Sequence, residues 1–335
     1  MDSASRSQAF ASSANEITWE NLRTLSLANQ PNVTLAAQIQ EIRANPPSPK
    51  LIGAARSFGR RLAKALGHEG FVAAAEASWE EAIDILADQI AKNRKFIAHA
   101  MPSDLEQLSP VLQQSRRLLP GLYHQLPCTR LTTMKRLEMI RSHASPNQPV
   151  LIVGDDDGVS IELVRSGFSD VTVIDIDEKI IGKLATLAVS QRLKLKAFVH
   201  DLTKKPGLDL IRNYQVVLMD PPCSSEGAKL FLHGTLQVLA MPAATSFIVV
   251  TNCLSQLPAG LRDFQKFLLQ HAFEVVQIDP ASSVYPIPML AKLSFKILLQ
   301  TLATITGHRK FLRQPGWCPD FFISDTLILR IQNPE

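Results

Sequence analysis

The sequence lacks the features of a secreted, membrane-spanning or zinc-binding protein. Its 335 residues include only four cysteines, and no two of them form a CxxC pair. Zinc ribbons and redox dithiols are therefore disfavoured, and scattered thiols are typical of a reducing compartment. No apolar run reaches the length of about 18 residues that a membrane helix needs, and residues 1–16 lack the apolar segment of a secretory leader. We expect a cytoplasmic protein with no membrane partner.

The chain also lacks a large net charge. The chain has 35 Lys and Arg residues against 31 Asp and Glu residues, a net charge of +4. Nucleic-acid-binding proteins usually carry a concentrated basic stripe, so a nucleic acid partner is disfavoured. The hydrophobic content of 46% is ordinary for a folded protein and excludes wholesale disorder. At about 150 residues per domain, the length predicts two domains.

The composition and periodicity of the sequence predict a tail followed by two different domains. Residues 1–16 are rich in Ser and Ala and are interpreted as a disordered tail, while residues 17–118 have helical periodicity and few strand signals. We interpret 17–118 as a helical accessory domain, which includes the option of a homodimer. A nucleic-acid-binding domain is the alternative, although basic residues at helical spacing more often form a solvated face. Those basic residues are Arg56, Arg60, Arg61 and Lys64.

Short apolar runs alternate with helix-length segments after Pro149. This alternation predicts a parallel, doubly wound α/β sheet within a catalytic domain at 119–335. Continuously apolar strands are typical of a sheet that is covered on both faces. The predicted strands are 150–153, 171–174, 197–199, 215–219, 247–250, 274–278 and 326–330.

Carboxylates follow four of the predicted strands, where open α/β sheets bind their ligands. They are Asp155, Asp156 and Asp157 after the first strand, then Asp175, Asp201 and Asp220. The first strand lacks a GxGxxG loop, and three adjacent carboxylates would repel a pyrophosphate, so a NAD enzyme is disfavoured. An adenosine cofactor without phosphate fits better, with Asp175 on the ribose hydroxyls and Asp201 on the adenine amino group. The structural alternatives are a helix N-cap for Asp175 and a loop acid for Asp201.

The segment from Asp155 to Glu178 is strongly acidic within a net basic chain. Eight acids lie there, and only Arg165 opposes them. Helix capping and solvated surface account for some of these acids, but three adjacent like charges at a strand end cost stability. A cleft of this charge attracts cations. No further ligand pattern accompanies the triplet, so no metal is predicted.

Several of these segments together resemble the branched-chain polyamine synthases, the bis(aminopropyl)spermidine synthase family. The resemblance rests on Gly154-Asp155-Asp156-Asp157, on 173–178 and on Asp220-Pro221-Pro222, and it continues in 226–232 and 123–136. It covers about 120–335. Two departures concern the substrate: Cys223 stands where the family usually has Tyr, and the N-terminal region does not have the pattern of the family's winged-helix domain.

The resemblance implies a Rossmann-like class I S-adenosylmethionine-dependent transferase fold with an N-terminal mainly helical domain. It implies transfer of aminopropyl groups from decarboxylated S-adenosylmethionine to a polyamine such as spermidine, with intact S-adenosylmethionine left open as the donor. Carboxylates would hold ammonium groups and accept the proton of the attacking nitrogen. The expected residues are Asp156, Asp157 and Asp220 for catalysis, Gly154, Asp155, Asp175 and Asp201 for the cofactor, and Pro221, Pro222, Cys223 and Glu226 for the substrate.

Three other functions stay open from the sequence. Asp220-Pro221-Pro222-Cys223, with Cys253 after the next strand, is similar to RNA 5-methylcytosine methyltransferases, whose thiolate adds to the pyrimidine ring. The acidic triplet would repel RNA phosphates. An exocyclic-amine methyltransferase would lack its stacking aromatic here, and a non-catalytic polyamine- or nucleoside-binding protein is the third alternative.

Four further side chains are weaker candidates. His124 and His233 are potential bases, although a lone histidine more often packs in the core or lies at the surface. Tyr285 and Trp317 are predicted in C-terminal loops that would cover the site, where an aromatic ring can contact a sulfonium or ammonium group.

Overall fold

The computed structural model describes residues 128–222, 225–242, 245–251, 258–287 and 321–331, together with isolated positions between 44 and 100. The predicted tail at 1–16 and the predicted boundary at 118 lie outside the described residues and stay predictions. So do the following side chains of the sequence analysis: Arg56, Arg60, Arg61, Lys64, His124, Cys223, Cys253 and Trp317.

Helices and strands alternate through the described part of the chain, as the apolar runs predict. The elements are α1 (Arg130–His143), β1 (Val150–Val153), α2 (Val159–Arg165), β2 (Val171–Asp175), α3 (Glu178–Ser190), β3 (Leu195–Val199), β4 (Val216–Met219), α4 (Ser225–Gln237), β5 (Ser246–Thr251), α5 (Pro258–Gln270), β6 (Phe273–Pro286) and β7 (Phe321–Ile331). Each of the seven predicted strands is therefore confirmed, and five are longer than predicted, β6 and β7 by the most. No described helix is both long and apolar enough to cross a membrane.

The strands form one sheet in the order β3-β2-β1-β4-β5-β7-β6. Strands β1 to β5 are parallel, as predicted. The prediction of an all-parallel sheet is wrong at its end, because β7 runs antiparallel to both β5 and β6. Antiparallel neighbours need no crossover helix, so β7 can fold back between β5 and β6.

Both faces of the sheet are covered, which explains the continuously apolar strands. Along β1 successive side chains point to opposite faces. Val150 and Ile152 belong to a buried cluster that includes Leu137 of α1. Leu151 and Val153 belong to a second cluster that includes Leu232 of α4 and Phe264 of α5. Burying each large aliphatic side chain of this kind contributes about 1.5–3 kcal/mol.

The strand order reverses between β1 and β4, and this point is where an open α/β sheet forms its ligand crevice. The last residues of the two strands, Val153 and Met219, are paired in the sheet. The acidic triplet after β1 therefore emerges beside Asp220 after β4. Helix α1 is held against the same end of the sheet, because Thr129 N donates to Val284 O at 2.9 Å and Val284 N donates to Thr132 Oγ1 at 2.8 Å.

Candidate active site

The first carboxylate of the triplet, Asp155, caps helix α2. Its two oxygens accept hydrogen bonds from Val159 N at 2.8 Å and Ser160 N at 3.2 Å. The turn between β1 and α2 needs left-handed backbone at Gly154 (φ +75°) and Gly158 (φ +71°), a conformation that glycine adopts without strain. Burial raises the pKa of Asp155 to about 7. The carboxylate of Asp155 is therefore hydrogen-bonded within its own loop. A cofactor role for Gly154 and Asp155 remains a proposal.

The third carboxylate, Asp157, has both oxygens engaged. Oδ1 accepts from Cys128 N at 2.5 Å, and Oδ2 accepts from Arg136 Nη1 at 2.5 Å. Burial raises the pKa of Asp157, while the charge of Arg136 opposes this rise. Asp157 thus joins the β1 loop to the start of helix α1.

Arg136 connects this carboxylate to the end of β4 and to β6. Its Nη2 donates to Asp220 Oδ2 at 2.6 Å and to the Tyr285 hydroxyl at 2.5 Å, and that hydroxyl donates to Asp220 Oδ2 at 2.5 Å. The side chain of Arg136 is only 3% exposed. Asp157, Asp220, Tyr285 and Arg136 therefore form one buried hydrogen-bonded group, which we call the arginine cluster.

The middle carboxylate, Asp156, differs from both neighbours. It is half-buried, and its carboxylate makes no hydrogen bond to any residue that the structure describes. Burial raises its pKa well above its usual range, and the charges of Asp157 and Asp220 raise it further, whereas Arg136 lowers it. A raised pKa makes a carboxylate a stronger base. Asp156 therefore stays the predicted candidate for the general base.

Asp175 lies at the end of β2 beside this loop. It is 8% exposed, and its oxygens accept from Asp177 N at 2.8 Å and Asp155 N at 3.4 Å. Burial raises its pKa. Asp177, and not Asp175, caps helix α3 through Lys179 N at 2.9 Å. The N-cap alternative for Asp175 is thus wrong, and Asp175 stays a candidate ligand for ribose hydroxyls.

Asp201 follows β3 and closes its own turn. Its carboxylate accepts from Thr203 N at 2.9 Å and Thr203 Oγ1 at 2.7 Å, and these hydrogen bonds lower its pKa. This is the geometry of the loop acid that the sequence offered as the alternative. A contact between Asp201 and adenine remains a prediction.

The predicted substrate residues are distributed over the segment after β4. Pro221 is buried and Pro222 is half-buried, directly after Asp220. Glu226 lies in the first turn of α4, where its side chain is 83% exposed and pairs with Lys229 at 3.0 Å. No described contact joins Glu226 to the arginine cluster. His233 packs against the ring of His271 between α4 and α5.

Sequence reasoning missed the central role of Arg136 and misplaced Tyr285. The prediction of a loop around Tyr285 is wrong, because Tyr285 lies within β6 and is 2% exposed. Arg136 lies on the buried face of α1, four residues after Thr132 and four residues before Ile140. A cation at a position where the helical period predicts an apolar residue was the available signal.

No cluster of three or more His, Cys, Asp or Glu side chains suited to a metal ion occurs among the residues that the structure describes.

Comparison with known proteins identifies the family. Residues 111–293, more than half of the chain, match the family described as the branched-chain polyamine synthase A C-terminal domain. The chain belongs to this family. The resemblance inferred from the strand-end motifs is thereby confirmed.

Curated relatives match about half of the chain. The N(4)-bis(aminopropyl)spermidine synthase of Thermococcus kodakarensis is 28% identical over 187 residues, which are 52% of this chain and 52% of the relative. The enzyme of the same name from Methanocaldococcus jannaschii is 28% identical over 160 residues, 47% of this chain and 45% of the relative. The matched region thus spans about half the length of these polyamine synthases.

A solved structure supports the fold. The branched-chain polyamine synthase of Thermus thermophilus, in complex with N4-aminopropylspermidine and 5′-methylthioadenosine, has a TM-score of 0.50 and 20% identity, and covers 73% of this chain and 66% of its own. The likeness concerns the fold alone, and the predicted Rossmann-like class I transferase fold is confirmed.

Proposed function

We propose that the protein is an aminopropyltransferase that moves an aminopropyl group from decarboxylated S-adenosylmethionine to a polyamine nitrogen, with spermidine as the acceptor class. The observation that carries the proposal is the charge at the β1–β4 crevice. Five carboxylates lie there, and Arg136 is bonded to two of them, Asp157 and Asp220. The carboxylates are those of Asp155, Asp156, Asp157, Asp175 and Asp220. A crevice of this composition attracts cations and repels anions.

The same contacts favour a donor without a carboxylate. Intact S-adenosylmethionine carries a carboxylate that would need a guanidinium or a helix N-terminus. The N-terminus of α2 is occupied by the Asp155 carboxylate, and the guanidinium of Arg136 is bonded to Asp157 and Asp220. Decarboxylated S-adenosylmethionine carries only cationic groups on its aminopropyl arm and sulfur, which match the surrounding acids.

The chemistry required of the protein is limited. The acceptor nitrogen attacks the methylene carbon next to the sulfonium in line with the carbon–sulfur bond. A carbon–nitrogen bond forms, the carbon–sulfur electron pair goes to sulfur, and 5′-methylthioadenosine leaves. The attacking nitrogen must lose a proton, and Asp156 is the carboxylate suited to accept it, because its pKa is raised and its oxygens have no described donor. Holding the two substrates in line supplies a further large share of the rate.

The donor's adenosine would lie toward the β1 and β2 ends. Asp175 would accept from the ribose hydroxyls, Gly154 would allow a close approach of the backbone, and Asp201 would face the adenine. The acceptor would lie toward Asp220, Pro221 and Pro222, with Cys223 as a wall of its pocket and Glu226 at the rim. No metal is proposed, and the cytoplasmic location and the homodimer stay predictions from the sequence.

Membership of the polyamine synthase family supports this function over RNA methylation and over amine methylation. The curated relatives are named for bis(aminopropyl)spermidine synthesis, so both one and two transfers to the central spermidine nitrogen are proposed outcomes. One transfer makes a tertiary amine, and a second makes a quaternary ammonium.

The test supplies the full chain with spermidine and either decarboxylated or intact S-adenosylmethionine, and identifies products by mass spectrometry. We expect branched aminopropylspermidine and 5′-methylthioadenosine from the decarboxylated donor alone. Glu138→Gln, which removes an exposed acid of α1, serves as a control and should keep full activity. Methylated polyamine with S-adenosylhomocysteine, methylated RNA cytosine, or donor binding without any product would each contradict the proposal.

A further inference from the structure

Arg136 is buried at a position where an ion pair with a purely structural role would carry a large desolvation cost. It is almost fully buried, and taking a guanidinium out of water costs several kcal/mol unless many hydrogen bonds offset that cost. Its Nη1 and Nη2 atoms contact three side chains from three different parts of the fold: Asp157 after β1, Asp220 after β4 and Tyr285 in β6. Its Nε is buried without a partner among the described residues. The described hydrogen bonds of the Arg136 guanidinium therefore go to two acids of the crevice and to the tyrosine that contacts one of them.

The guanidinium divides the acids of the crevice into two kinds. Asp157 is bonded to it directly, and Asp220 is bonded to it and to the Tyr285 hydroxyl at once. Asp156 is not bonded to it, although it lies next to Asp157 in the chain. Without the guanidinium, the neighbouring carboxylates of Asp156, Asp157 and Asp220 would repel one another.

We infer that Arg136 is the positioning residue of the aminopropyl transfer proposed above: it holds Asp157 and Asp220 as ion-pair partners and thereby leaves Asp156 as the carboxylate that receives the acceptor's proton. The inference rests on the proposed function. Arg136 itself need not touch either substrate.

The shape of the guanidinium group makes arginine distinct from lysine at position 136. A planar guanidinium reaches two carboxylates with separate N–H groups, whereas an ammonium is a single point of charge. Arg136→Lys therefore keeps the charge and loses one of the two anchored acids. A displacement of about 1 Å in a reacting group can cost on the order of 100-fold in rate.

The charge of Arg136 also acts on Asp156. The groups that surround Asp156 electrostatically are Asp157, Asp220 and Asp175, which raise its pKa, and Arg136, which lowers it. Two groups next to Arg136, the Tyr285 hydroxyl and the Cys128 thiol, have pKa values that burial raises well above their usual ranges, so both stay neutral. Removing the charge of Arg136 should therefore raise the pKa of Asp156 and move the acid limb of the pH–rate profile to higher pH.

The experiment compares Arg136→Lys and Arg136→Met with the wild type, with Arg141→Lys as a matched control on an exposed position of the same helix. It measures kcat and KM for spermidine across pH, and the affinity for 5′-methylthioadenosine by calorimetry. We expect kcat of Arg136→Lys to fall on the order of 100-fold, with nucleoside affinity nearly unchanged. Arg136→Met should add the shift of the acid limb.

Tyr285→Phe provides a second variant if Arg136→Met fails to fold. It removes the O–H donor to Asp220 but leaves the ion pairs intact, so kcat should fall by a smaller factor than in Arg136→Lys. An active wild type whose Arg136→Lys variant keeps its kcat and pH profile overturns the inference alone. A wild type that transfers no aminopropyl group overturns the proposed function and the inference with it.

Discussion

Replacing each of two adjacent aspartates by asparagine should have opposite consequences, because the structure gives the two side chains different partners. Asp156→Asn removes a carboxylate that has no described hydrogen bond and whose pKa is raised by burial and by two neighbouring acids. Loss of a general base typically costs on the order of 100-fold or more in turnover. The free energy of unfolding should stay unchanged or increase, since one of three like charges is removed.

Asp157→Asn instead breaks a buried ion pair. The asparagine Oδ1 can still accept from Cys128 N, but its amide group then faces the N–H groups of Arg136 in place of a carboxylate oxygen. Removing one partner of a buried pair typically destabilises by about 3–5 kcal/mol. Asp220 still neutralises Arg136, so we expect the lower end, about 3 kcal/mol.

Denaturant unfolding measures the free energy of unfolding of both variants and of Glu138→Gln. Mass spectrometry of the products measures their turnover. Calorimetry with 5′-methylthioadenosine shows whether the nucleoside still binds. Nucleoside affinity should change little in Asp156→Asn, because the ribose is assigned to Asp175. Wild-type turnover in Asp156→Asn, or equal destabilisation by both substitutions, would refute the division of roles between Asp156 and Asp157.

Three further predictions concern other positions. Asp175→Ala should weaken binding of an adenosyl nucleoside by about 1.5–3 kcal/mol, the value of a hydrogen bond to a charged group, and unchanged affinity in calorimetry would remove Asp175 from the site. Cys223→Ser should keep substantial aminopropyl transfer, whereas complete loss together with a covalent adduct on a fluorinated pyrimidine RNA would indicate RNA methylation. The free energy of unfolding should fall as pH rises from about 4 to about 7, because the folded chain keeps a proton on Asp155 that the unfolded chain has lost. Asp155→Asn should flatten this pH dependence, and an unchanged slope in that variant would contradict the assignment to Asp155.

The alternation of apolar runs was sufficient to predict the sheet from the sequence. Strands that are buried on both faces must be continuously apolar, so runs such as 150–153 and 247–250 were visible without any tertiary information. Acids directly after these runs were then expected at one edge of the sheet, because parallel strands end on the same side. The antiparallel placement of β7 was not predictable in this way, because a short apolar run carries no sign of its direction.

The different roles of Asp155, Asp156 and Asp157 were decided only by the tertiary structure. In the sequence they are three identical side chains in a row. Asp155 has hydrogen-bond partners close by in the chain, at Val159 N and Ser160 N, but nothing local distinguishes Asp156 from Asp157. The fold places the α2 N-terminus over Asp155 and brings Arg136 from α1 to Asp157, and it leaves Asp156 without a donor among the described residues. Tyr285 reaches Asp220 across 65 residues of chain, a contact that only the packing of β6 creates. Hydrogen-bond partners far apart in the sequence determine that Asp157 and Asp220 are bonded to Arg136 and that Asp156 is not, and local sequence patterns do not reveal such partners.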